Sequence, residues 1–205
     1  NGTTIVDGDA TPATGDHTDF GSQSVCSGTV VKTYTIHNTG PTALAVSDIT
    51  LSGTDAADFA IGGITLPATV AGPGSTTFTV TFNPSGTGLR NATVNIANDD
   101  CNEATYDFAV QGTGVEAEIN LQGNSQDIID GNVTPSSTDD TDFGNQSVCT
   151  GTVVKTYTIQ NTGTGPLTVS DITLGGTNAA EFSVGGITLP VTVAASSSTT
   201  FTVTF

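Results

Sequence analysis

Thr76-Thr77-Phe78-Thr79-Val80-Thr81-Phe82 alternates threonine with large apolar residues, and the same seven residues return as Thr199 to Phe205. Successive side chains of a β-strand point to opposite faces, so the stretch offers one apolar face and one hydroxyl face. Such a strand must lay its apolar side against a second sheet. Outward from it the whole neighbourhood recurs. Residues 20–82 reappear without insertion as 143–205: Phe20-Gly21 as Phe143-Gly144, Cys26 as Cys149, and Thr29 to Ile36 as Thr152 to Ile159, a period of 123 residues. A unit of that length can bury a core of its own, unlike the units of a solenoid.

The repeat divides the chain into residues 1–114 and 115–205. The first copy has no counterpart of the strand-like lead-in Glu118-Ile119-Asn120-Leu121-Gln122, and the second stops before the counterparts of the last two strands. The expectation is a window cut from a longer array of modules.

Charge narrows the function classes. Three basic residues stand against 20 acidic ones, a formal net charge of −17. That field repels nucleic acid and anionic membrane surfaces, so nucleic-acid binding is excluded as an expectation. No stretch approaches the ~20 apolar residues of a membrane span, so membrane insertion is not expected either. Acidic arrays stay soluble by self-repulsion and gather divalent cations, which suits an extracellular setting.

Period-2 alternation places strands at about 29–38, 44–52, 58–62, 76–82, 89–98 and 105–112, with an edge piece at 19–21. One parity is apolar: Tyr34 and Ile36, Phe59 and Ile61, Phe78, Val80 and Phe82, Ala92, Val94 and Ile96, Tyr106, Phe108 and Val110. Parity switches between Val46 and Ile49, which predicts a β-bulge. No helical period survives beyond a single turn at Ala56-Ala57-Asp58-Phe59.

These residues resemble the choice-of-anchor D repeats of bacterial surface proteins, immunoglobulin-like modules related to the abnormal-spindle and hydin type. The carriers are Thr18-Asp19-Phe20-Gly21, Asn38-Thr39-Gly40, Phe78-x-Val80-x-Phe82-x-Pro84, Ala92-x-x-x-Ile96-x-Asn98-Asp99-Asp100 and Gln111-Gly112-Thr113-Gly114, the first three largely repeated at 141–144, 161–163 and 201–205. The resemblance implies an all-β fold of tandem immunoglobulin-like β-sandwich modules, the second truncated at its C-terminal end. It also implies a stalk, shaft or spacer role in large secreted proteins. The chain departs from the family pattern by an Asp-rich insert, residues 5–18 and 128–141, before each Asp-Phe-Gly.

Cys26 and Cys101 occur once per module, and Cys149 repeats Cys26. With no Cys-x-x-Cys and no neighbouring histidine, they read as disulfide cysteines rather than zinc ligands. In an immunoglobulin-like topology Cys26 and Cys101 lie at opposite ends of the sandwich, which favours pairing between neighbouring modules over a Cys26-Cys101 bond. The latter stays open, as do unpaired thiols.

The inserts carry the acidic candidates: Asp7, Asp9, Asp16 and Asp19, recurring as Asp130, Asn132, Asp139 and Asp142, with Glu116 and Glu118 in the connector. Spaced oxygens about a glycine turn suit calcium, the one candidate cofactor, which takes six to eight oxygen ligands. The ordinary reading of such residues, Asx-turns in solvated loops, takes precedence.

Catalysis finds no footing. The histidines, His17 and His37, become Asp140 and Gln160 in the second copy, and no nucleophile, base and orienter set or phosphate loop is present. The chain is expected not to be an enzyme. The leading function is a structural stalk or shaft repeat of a secreted bacterial adhesin or extracellular filament, whose partners are neighbouring copies of the module. The alternatives are a ligand- or glycan-binding module, which the absence of tryptophan and of an exposed aromatic cluster disfavours, and an accessory domain of a secreted enzyme.

Overall fold

The computed structural model describes residues 2–205. They form two compact units, one ending at Val115 and one spanning Glu116–Phe205.

In the first unit the strands are β1 (Asp19–Ser24), β2 (Val30–Asn38), β3 (Leu44–Ser52), β4 (Phe59–Gly62), β5 (Ala68–Val70), β6 (Gly74–Phe82), β7 (Gly88–Asn98) and β8 (Thr105–Val115). A 3₁₀ turn at Ala56–Asp58 leads into β4. One sheet runs β1-β8-β7-β3-β5 and the other β2-β6-β4, so the unit is a two-layer immunoglobulin-like sandwich. The apolar parity of each strand fills the space between the layers, where Val46, Phe78, Val80, Phe82, Val94 and Val110 are buried. Rings seal the layers together: Tyr34 of β2 lies 5.4 Å from Phe108 of β8, and Phe20 of β1 lies 5.9 Å from Phe82 of β6.

The bulge is present as a register shift between Val46 and Asp48, where β3 leaves β5 to follow β7. The three-residue β5, too short to show an alternation, pairs Val70 with Leu44. In addition β8 extends to Val115 through Gly112 and Gly114, beyond the expected end at 112. A side chain at Gly112 would overlap the Phe82 ring, so glycine there is a condition of close sheet packing.

The second unit contains β9 (Ile119–Gly123), β10 (Gln126–Asp127), β11 (Val154–Asn161), β12 (Leu167–Val169), β13 (Ser183–Gly185), β14 (Val191–Val193) and β15 (Ser197–Thr204). Its larger sheet runs β10-β9-β11-β15-β13, and β12 pairs with β14. Tyr157, Ile159, Phe201 and Val203 form the buried centre. Near-identical sequence takes different structure in the two units. Leu44 to Ser52 is a nine-residue strand beside β7, whereas its counterpart keeps only Leu167–Val169. Asp19–Ser24 pairs in parallel with β8, whereas residues 142–147 form no strand. Residues 116–205 contain no counterpart of β7 or β8, and a strand without a neighbour leaves its backbone groups to water.

A buried asparagine fixes the same corner in both units. Asn161 is 1% exposed. Its amide donates to the carbonyls of Gly165 (2.7 Å) and Val193 (3.0 Å), and its Oδ1 accepts from the backbone N–H groups of Gly163 (3.1 Å) and Glu118 (3.2 Å). Asn38 repeats the pattern toward Thr42, Val70 and Gly40. One side chain thus ties a turn to β14 or β5 across the sandwich. Substituting Asn161→Ala orphans several buried backbone groups and is expected to cost about 2–4 kcal/mol, measurable by urea denaturation of the full chain.

Candidate functional site

The acidic inserts fold into the same loop twice, and their carboxylates are spent on the loop itself. Asp9 Oδ1 accepts from Thr11 N–H (2.9 Å) and from the Thr11 hydroxyl (2.7 Å). Asp16 Oδ1 accepts from Thr18 N–H (3.0 Å) and the Thr18 hydroxyl (2.6 Å), and Asp19 Oδ1 from Gly21 N–H (2.8 Å). In the second unit Asn132 serves Thr134, Asp139 serves Thr141 and Asp142 serves Gly144. Each is an Asx-turn in which an Asp or Asn oxygen caps the amide two residues on. The Thr11 bonds hold the Asp9 carboxyl below its ordinary value, and those from Thr141 do the same for Asp139 against the opposing effect of desolvation.

The remaining acidic candidates lie apart from these turns. Asp7 Oδ1 accepts from Asp107 N–H of β8 (2.9 Å), fastening the insert to the sheet. Its counterpart Asp130 is exposed in a turn, with no β8 to grip. Glu116 and Glu118 are exposed, and their carbonyls accept from Gly165 N–H and Thr162 N–H. Among the described residues no three His, Cys, Asp or Glu side chains converge as a metal set. The sequence-level calcium ligands are therefore not brought together. Titrating calcium or a chelator into the full chain is expected to leave its melting temperature unchanged, as scanning calorimetry would show.

Cys26 and Cys101 lie at opposite ends of the first unit, as the immunoglobulin-like topology predicts. Cys26, Cys101 and Cys149 are exposed, and no disulfide joins them. The topology explains why Cys26 and Cys101 do not pair. Strands β1 and β8 run parallel, with Ser24 opposite Val115, so Cys26 lies beside the end of β8 while Cys101 precedes its start. The length of an eleven-residue strand, roughly 33 Å, separates two positions that a disulfide needs within about 6 Å.

The inserts are anchored by tyrosines. Tyr34 Oη donates to the carbonyl of His17 (2.8 Å) and Tyr157 Oη to that of Asp140 (2.7 Å). Burial raises both phenols, Tyr157 to about 12. The anchored residues differ between copies. Asp140 Oδ1 meets Lys155 Nζ at 2.6 Å. In the first copy the same positions hold His17 and Lys32, and His17 Nδ1 is buried without a hydrogen-bond partner among the described residues. Desolvation, reinforced by Lys32 and opposed by Asp16, lowers the His17 pKa from 6.5.

Sequence reading missed one further group. Arg90, the only arginine of the chain, reaches Asp55 (3.4 Å) and the buried Asp58 (3.5 Å) and donates to the carbonyls of Gly86 and Thr87. It holds the 3₁₀ turn against the start of β7. Asn178 and Glu181 replace the two aspartates in the second copy, so the repeat carried no signal of it.

No family model and no curated protein matches the chain. Similar solved structures include a protein of unknown function from Porphyromonas gingivalis, 11% identical, covering 91% of this chain and 78% of that one with a TM-score of 0.36. Another is the ASH/PapD-like domain 7 of human CEP192, 17% identical over 58% of this chain and 98% of that one, with a TM-score of 0.33. A third is the CsuC-CsuE chaperone–tip adhesion subunit complex from the Csu pili of Acinetobacter baumannii, 10% identical over 89% and 83% of the two chains, with a TM-score of 0.34. No helix among the described residues is long and apolar enough to cross a membrane.

Because His17 binds its proton less readily when folded, folding is disfavoured as pH falls from the unfolded value near 6.5 through the lower folded one. The His17→Asp variant recreates the Lys155–Asp140 arrangement and removes that titration. It is expected to melt higher than the parent, by about 0.5–1 kcal/mol of stability, with a larger gap at pH 5.5 than at pH 7.5 in paired thermal melts.

Proposed function

We propose that the chain is a structural stalk or shaft repeat of a secreted bacterial cell-surface adhesin or extracellular filament, with neighbouring copies of the same module as its partners. The observation that carries this reading is the path of the backbone through a repeat. In the second unit the incoming chain is fastened at the 162–165 turn, where Thr162 N–H and Gly165 N–H donate to Glu118 and Glu116. The corresponding turn of the first unit, residues 39–42, lies beside the Asp99–Glu103 turn that precedes β8. The outgoing chain of that unit leaves at Val115, beside Val25, at the far end of β8.

A repeat that receives the chain at one pole and releases it at the other adds roughly one strand length, about 33 Å, per copy. Entry and exit at opposite poles support an extended array over a compact one. The resemblance to choice-of-anchor D repeats and the acidic surface, which disfavours lateral association, point the same way. Small-angle scattering on arrays of two, four and eight copies tests this. The maximum dimension is expected to grow linearly by about 30–35 Å per copy, and growth with the cube root of mass would overturn the reading.

A further inference from the structure

One side of β8 in the first unit is lined by two successive tiers of backbone, both running parallel to it. In the outer tier the acidic insert lies against the start of the strand. Gly8 N–H donates to the Asp107 carbonyl (2.8 Å), Ala109 N–H to the Asp9 carbonyl (2.7 Å) and Asp107 N–H to Asp7 Oδ1 (2.9 Å), and Asp9 pairs with Phe108 in a parallel bridge. In the inner tier β1 continues the same line, from Asp19 opposite Gln111 to Ser24 opposite Val115. Gln111 N–H donates to the Thr18 carbonyl (2.9 Å) and Val25 N–H to the Val115 carbonyl (3.0 Å). Residues 10–17 loop out between the tiers, and the loop is closed on itself by Asp19 N–H to the Ala13 carbonyl (3.0 Å) and Ala13 N–H to Thr18 Oγ1 (2.8 Å). We propose that β1 and β8 form a mechanical clamp that bears tension along the chain, and that the Asp7–Asp9 tier is a clasp in front of it, yielding first and releasing the loop as slack.

Parallel direction is what makes the pair a clamp. Tension that draws the chain out at opposite poles pulls β1 toward the start of β8 and pulls β8 onward past Val115, so the two strands must slide along each other. Their bonds run between the strands, across the pull, and are loaded together. Parting the same strands from one end loads the bonds in turn. The inner tier is the better anchored. Thr18 is 1% exposed, Phe20 meets the rings of Phe59 and Phe82, and Tyr34 of the other sheet holds the His17 carbonyl. The outer tier is open to water on both flanks, at Val6 to Gly8 and at Ala10, where solvent competes for its bonds. Failure in that order turns an overload into about 20 Å of extension, the difference between the loop drawn straight and the short stretch of β8 from Phe108 to Gln111 that it bypasses. The purpose of such a device rests on the shaft reading, whereas its strength is a property of this unit, measured separately from the growth of arrays.

The test pulls the first unit, within the full chain carrying Cys101→Ser and Cys149→Ser, by optical tweezers in two directions. One handle sits on Glu116→Cys. The other sits on the N-terminal amine, with Cys26→Ser, or on the exposed Cys26 thiol, which lies beside Val115 and so parts β1 and β8 from their common end. The opening force is expected to be at least about twofold higher from the N-terminus than from Cys26, because the bonds are loaded together in the first case and in turn in the second. Pulling from the N-terminus is also expected to show a step of about 20 Å before the main opening. Asp7→Ala is expected to lower the force of that step and leave the main opening unchanged. Equal opening forces in the two directions would overturn the clamp. A missing early step, or an Asp7→Ala effect confined to the main opening, would overturn the clasp.

Discussion

A strand exists here only where a neighbour meets its backbone. The two units are a controlled comparison, since sequence is nearly constant while the set of neighbours changes. Asp-Phe-Gly-x-Gln-Ser is a strand at 19–24 beside β8 and irregular at 142–147, where no such neighbour stands. Leu44 to Ser52 keeps nine residues against β7, and its counterpart keeps three. The apolar contacts partly survive the loss: Phe143 still meets Phe182 edge-on at 5.3 Å, as Phe20 meets Phe59 at 5.6 Å. Packing of rings thus persists without the ladder, while the ladder decides which residues are regular.

The same accounting governs the polar groups. Long irregular inserts are costly because their amides need partners, and this chain supplies them locally, from Asp and Asn oxygens placed two residues ahead of the amides they cap. The high acidic content is in good part a backbone-satisfaction device. Over longer range a tyrosine hydroxyl holds each insert, and a buried asparagine does the same work for the turn after β2 or β11.

Much of this was legible in the sequence. Alternation at Phe78, Val80 and Phe82 located the core face, and the parity switch at Val46 and Ile49 located the bulge. What stayed hidden depends on distant partners. The strand β5 is too short for a period, and the Arg90 lock joins residues 32 to 35 apart in sequence and appears in one copy only. The Asx-turns of the acidic inserts, the first reading of their spacing, are spelled locally by Asp-x-Thr and Asp-x-Gly. The separation of Cys26 from Cys101 was legible too, because the topology puts a whole strand length between them.

The placement of the basic residues has a consequence for resistance to proteolysis. Lys32 lies in β2, Arg90 in β7 and Lys155 in β11, so every bond that a trypsin-like enzyme recognises sits within a hydrogen-bonded ladder. Such an enzyme needs its target extended and detached, which these ladders permit only through local or global opening of a sheet. The long connecting loops, where cleavage ordinarily begins, hold no lysine or arginine. By confining its few cations to strands, the chain leaves its most accessible segments chemically silent to that class of protease.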